Sequence, residues 1–131
     1  MSGDEKKTQK TTTDITFENT TCYVPRNVRT QEIDQEVSSW EFVQDCILDM
    51  FEDGDEFVTL TIAEIKYGIR FVQACRGDDG IIVELGIEKE NRTNLVEKIC
   101  TEEECLEIFR EFYDSTYVRD VEGYSPVSFF T

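Results

Sequence analysis

Hydrophobic and polar positions along this chain change period several times, and each change marks an element. From Ser38, Trp40, Val43, Ile47 and Met50 or Phe51 recur at helical spacing, while Asp45 and Asp49 fall on the other face. Ser38 and Glu41 have the spacing of a capping box, and Gly54 in "EDGDE" suits a left-handed cap at the far end. The period then falls to two. In "EFVTLTIA", Val58, Leu60 and Ile62 alternate with Thr59 and Thr61. Ile69, Phe71, Gln73 and Cys75 share one face of the next run, opposite Arg70, Val72 and Ala74. "GIIVELGIE" sets Ile81, Val83, Leu85 and Ile87 against Ile82, Glu84, Gly86 and Glu88. A further strand is expected over Asn94 to Cys100, after the polar turn "ENRTN". Helical spacing returns with Cys105, Ile108 or Phe109, and Phe112, behind a Thr101/Glu104 capping box whose glutamates suit a helix N-terminus.

The flanks are less regular. Residues 1–13 are polar and aperiodic and read as a flexible leader, leaving 14–131 as a single domain. Ile15, Phe17 and Cys22–Val24 suggest one or two short strands ending at Pro25. "RTQEIDQEV" is too polar to choose between helix and loop, and Val127 and Phe129 suggest a last short strand. Consecutive strands with short turns favour antiparallel pairing, and two amphipathic helices can cover one sheet face. The expected fold is therefore α+β: a two-layer sandwich of about five to six mainly antiparallel strands with two helices.

Charge narrows the function. Twenty-nine acidic and 13 basic residues give the 131-residue chain a formal net charge of −16. Such a molecule repels phosphate backbones and anionic membranes, so neither nucleic acid nor membrane is an expected partner; a basic protein surface is attracted and its approach steered. Five cysteines form no C-x-x-C pair, and histidine is absent. That excludes mixed Cys/His zinc sets and removes the commonest general base. With no signal-peptide-like segment and no span-length apolar run, a reducing cytoplasm is the expected compartment.

Candidate chemistry is thin. "RGDDG" places Asp78 and Asp79 between two strand-like runs, where Asp and Gly are explained by hairpin geometry, and a calcium loop would need an ordered series of further oxygen ligands. Glu84 and Glu88 share a strand face and read as its solvent side. Cys75 has Arg76 beside it but lacks a histidine partner. No phosphate-binding loop, dinucleotide fingerprint or nucleophile elbow occurs, so no catalytic residue, metal or cofactor is expected.

A hairpin with Gln73 on its first strand and Glu84 on its second, followed by a helix carrying Thr101, Glu103, Glu104, Phe109 and Phe112, resembles small bacterial immunity proteins of polymorphic toxin systems. The likeness spans about the last half of the chain. Such proteins often carry a Trp near the C-terminal strand, where Tyr117 and Tyr124 stand here. The resemblance implies a cytosolic protein that neutralises a cognate toxin, and the absent catalytic motifs make a non-enzymatic one the expectation. Carboxylates would then mimic the phosphates that a basic active-site cleft holds. The candidate partner-binding residues are Asp45, Asp49, Glu52, Asp53, Asp55 and Glu56 around the end of the first helix, with Asp78 and Asp79 on the hairpin tip; Glu107, Glu111 and Asp114 on the second helix are alternatives. The competing expectation is a small-molecule- or peptide-binding module, or a subunit of a larger assembly. It predicts a deep apolar cavity with convergent polar groups instead of an acidic surface.

Overall fold

In a computed structural model, which describes residues 25–53 and 56–127, seven strands form one antiparallel sheet with both helices on one side. In chain order the elements are β1 (Arg26–Arg29), β2 (Asp34–Glu36), α1 (Trp40–Glu52), β3 (Phe57–Ile62), β4 (Ile69–Arg76), β5 (Ile81–Lys89), β6 (Arg92–Cys100), α2 (Glu102–Ser115), a single 3₁₀ turn (Val121–Gly123) and β7 (Ser125–Pro126). The sheet order is β2-β1-β3-β4-β5-β6-β7. This is the expected α+β architecture, with slightly more strands than predicted.

The additional hairpin lies in "RNVRTQEIDQEV", β1 just before and β2 within the polar run "RTQEIDQEV", whose composition hides it. Thr30 Oγ1 accepts from the N–H groups of Glu32 (3.1 Å) and Ile33 (3.3 Å), turning the chain so that β2 runs back along β1. Only Val28 and Val37 are buried there, and the exposed "DQE" of β2 blunts the sheet edge.

Elsewhere the periodicities hold, with three local corrections. Helix α1 is capped by Ser39, whose hydroxyl accepts from the Phe42 N–H (3.3 Å), one residue later than the capping-box spacing implies. Its C-cap is Asp53 in an extended conformation, and Gly54 lies outside the described residues, as do the leader, the strand-like segments before Pro25, and Phe129. In β4, a bulge between Ile69 and Phe71 sends Ile69 into the core with Val72 and Ala74, leaving Phe71, Gln73 and Cys75 on the other face. The Thr101 cap of α2 is as expected: its hydroxyl accepts from the Glu104 N–H at 3.0 Å.

Between the layers, Val43, Ile47 and Met50 of α1 and Cys105, Phe109 and Phe112 of α2 meet Val58, Leu60, Val72, Ala74, Val83 and Leu85 of the sheet. Burying a side chain of this size contributes about 1.5–3 kcal/mol. At the α1–α2 contact, the Trp40 and Tyr113 rings lie 5.7 Å apart, and Arg26 Nε donates to the Tyr113 carbonyl at 2.7 Å. Among the described residues no helix is long and apolar enough to cross a membrane.

Two turns set the register on which the functional surfaces depend. "RGDDG" is a hairpin loop: Arg76 pairs with Ile81, and the Gly77 N–H donates to the Gly80 carbonyl at 2.7 Å. A Cβ at Gly80 would sit 2.9 Å from the Cys100 carbonyl oxygen, so the third strand's backbone demands glycine there. Between β5 and β6 the turn is only Glu90-Asn91, at φ 55° and 64°, the backbone of a tight two-residue hairpin.

Candidate functional site

Strand register brings several carboxylate-bearing segments to one end of the sandwich. Phe57 opposite Cys75, Arg76 opposite Ile81 and Ile81 opposite Cys100 define that end of the central strands. Helix α1 finishes there, because a short connection leads from it into Phe57, and α2 begins there, immediately after Cys100. The β1–β2 turn arrives as well, since Arg29 pairs with Thr59.

Of the residues predicted to bind a partner, Asp45 and Asp49 are exposed on α1, and Glu52 and Asp53 are exposed at its end. Glu56 is half-buried at the entry to β3, and Asp78 and Asp79 are exposed on the hairpin tip. Asp55 lies outside the described residues. The end also gathers Glu32 from the β1–β2 turn and Glu102 and Glu103 from the first turn of α2. These were not legible from local sequence, because only long-range register carries them there.

The fields of these groups overlap. Burial raises the Glu56 carboxyl above the usual carboxylate range, and Glu32, Asp53 and Asp49 push it further. The Cys46 thiol is raised by burial and then by Asp49, Asp45 and Glu56. Ion pairs among the described residues join Arg70–Glu88, Lys98–Glu104, Arg110–Asp114 and Arg119–Glu111; none involves Asp45, Asp49, Glu52, Asp78 or Asp79. Two of the alternative candidates on α2, Glu111 and Asp114, are thus already paired with arginines, and Glu107 is exposed on the same helix. Lys66, Lys89 and Arg92 lie towards the opposite end, in the β3–β4 connection and the β5–β6 hairpin, together with Glu64, Glu88 and Glu90, whereas Arg29, Arg76 and Lys98 are the basic residues towards the acidic end. Acidic and basic residues are thus present in similar number at the opposite end, whereas carboxylates outnumber basic residues at the end where α1 finishes. Carboxylates at the C-terminus of α1 also oppose its dipole, at about 0.3–1 kcal/mol each.

The sheet face turned away from the helices carries the residues of the hairpin resemblance. Thr59 Oγ1 donates to Gln73 Oε1 (2.7 Å), and Gln73 Nε2 donates to Glu84 Oε1 (3.1 Å). Glu84 is not paired with Glu88. It faces Glu97 across the β5–β6 ladder, and burial followed by Glu97 raises its carboxyl above the usual range, against the lowering bond from Gln73. Glu88 accepts from Arg70 Nε (3.1 Å) and Thr93 Oγ1 (2.9 Å), which hold its carboxyl below that range. Burial, then Glu84 and Glu97, push the Cys75 thiol up, the reverse of the activation that a neighbouring arginine supplies to a nucleophile.

Two clefts beside α2 have charged walls. One, of about 390 Å³, runs beside α2 and is lined by Lys98, Glu104, Glu107, Glu111, Arg119 and Tyr124 among others. Small-molecule sites are mostly apolar with few polar groups, so this cleft does not favour the ligand-binding alternative. Compared with protein-family models, curated proteins and solved structures, the chain matches none.

Proposed function

We propose that this is a non-enzymatic acidic binding protein of the bacterial cytoplasm that neutralises a cognate toxin by covering the toxin's basic active-site surface. One observation carries the reading: carboxylates from the end of α1, the β4–β5 hairpin tip, the β1–β2 turn and the start of α2 gather at one end of the molecule, and Asp45, Asp49, Glu52, Asp78 and Asp79 have no ion pair among the described residues. A surface of this kind presents acceptors to arginine and lysine as a phosphate backbone does. The pattern of Gln73, Glu84 and the Thr101–Phe112 helix supports the same reading through its resemblance to immunity proteins.

The test is genetic and biochemical. Co-expression with the product of the neighbouring gene should relieve that product's toxicity, and the two proteins should co-purify at low salt. Simultaneous Asp49→Lys, Asp78→Lys and Asp79→Lys should abolish protection while the chain stays folded. Full protection by the charge-reversed variant would contradict the reading.

A further inference from the structure

The sheet face turned away from the helices, open among the described residues, has an organisation of its own. One residue from each strand lines up across it: Asp34, Arg29, Thr59, Gln73, Glu84, Glu97 and Ser125 are successive cross-strand partners. Apolar side chains flank this polar line. Cys75, Ile82 and Ile99 stand on the side of the acidic end, with Ile99 57% exposed; Phe71 and Leu95 stand on the other.

Along the line, hydrogen bonds run from Thr59 through Gln73 to Glu84 and stop. Gln73 has its carbonyl oxygen occupied by Thr59 and its amide committed to Glu84, so Glu84 is fixed in place opposite Glu97. Neither carboxylate has an ion pair among the described residues: Arg70 is held by Glu88, and Lys98 by Glu104. Like charges directly opposed across a ladder are destabilising, so this arrangement has a local cost that its own neighbours leave unrelieved. An apolar face with two aligned acceptors at its centre is complementary to a cation ringed by apolar side chains. A second copy of the chain would set carboxylates against carboxylates, with −16 on each molecule opposing the approach.

We propose that the open sheet face docks a protein partner through one arginine or lysine seated across Glu84 and Glu97, with the partner's apolar side chains resting on Ile82, Ile99, Phe71 and Leu95. This goes beyond the reading of the acidic end, and either surface can fail while the other stands.

The test titrates the full chain, at physiological salt, with the peptide Ac-Leu-Arg-Leu-NH2 and its neutral isostere Ac-Leu-citrulline-Leu-NH2, following backbone amide shifts by NMR. Saturable shifts are expected at Gln73, Ile82, Glu84, Glu97 and Ile99, with the citrulline peptide binding about fivefold more weakly. The double variant Glu84→Gln/Glu97→Gln keeps the shape of both side chains and should erase that preference while its amide spectrum stays dispersed. Shifts confined to the acidic end, equal binding of both peptides, or an unchanged preference in the double variant would each overturn the proposal. So would a concentration-dependent dimer, seen by sedimentation, that Ile99→Arg dissolves.

Discussion

Glu84 and Glu88 are the same residue type on the same face of the same strand, yet their surroundings are opposite. Glu88 lies near the end of β5, where the β4 bulge presents Arg70 and the neighbouring strand presents Thr93. Its charge is answered locally, and its carboxyl is held low. Glu84 lies mid-sheet, accepts one amide bond, and faces a second carboxylate; its carboxyl is held high, first by burial. A satisfied carboxylate needs no explanation beyond the fold. One without a cationic partner, held in position by a chain of hydrogen bonds, is the better guide to what the surface is for.

The largest effect should come from removing what separates the two regions. Phe71 lies over Gly86, and a Cβ at Gly86 would stand 2.3 Å from that ring. Gly86→Val should displace the ring and cost about 1–3 kcal/mol, read as a lower midpoint in urea. Next, Glu84→Gln should raise stability at neutral pH by about 0.2–1 kcal/mol, because the like-charged cross-strand pair is gone. The sign follows from linkage. A carboxyl raised on folding contributes stability below its unfolded pKa of about 4.3 and loses it as pH climbs through the folded value. The gap between variant and wild type should therefore open as pH rises from 4 to about 7, and a wild type more stable than the variant at neutral pH would contradict the assignment.

Cys75 reports on the same pair. With Glu84 and Glu97 both changed to Gln, its reaction with iodoacetamide at neutral pH should accelerate, while Cys100, whose thiol is pushed up to about 11 by burial, should stay slow. Smallest of all is Glu88→Gln. It should lower stability slightly, with the opposite pH slope: the loss is present above the unfolded carboxylate pKa and vanishes as pH falls through Glu88's lowered value. Added salt should shrink it, since both partners reach solvent.

How much of this was legible in the sequence depended on range. Helix α2, the alternation of β3 and the "RGDDG" hairpin could be read because cap, period and turn are local signals. The β1–β2 hairpin could not, since Val28 and Val37 are its only buried apolar residues and a threonine hydroxyl makes its turn. Ser38 and Ser39 are adjacent, and the glutamate three residues after the first pointed to the wrong one. Strict alternation placed Ile69 with Phe71, and one bulge residue reversed it. The helix-end and hairpin carboxylates were identifiable one by one, but their assembly with Glu32, Glu102 and Glu103 follows from strand order. The Glu84–Glu97 pairing depends on a turn of Glu90-Asn91 alone, which the polar run "ENRTN" concealed.

The central claim, that the acidic end draws in a basic partner, is tested most directly by stopped-flow association with the neighbouring gene's product over a salt series. The wild-type rate should fall by about tenfold or more as salt rises, and the variant Asp45→Asn/Asp49→Asn/Asp78→Asn/Asp79→Asn should associate more slowly and with a flatter dependence. Identical rates and identical salt slopes for the two proteins would contradict it.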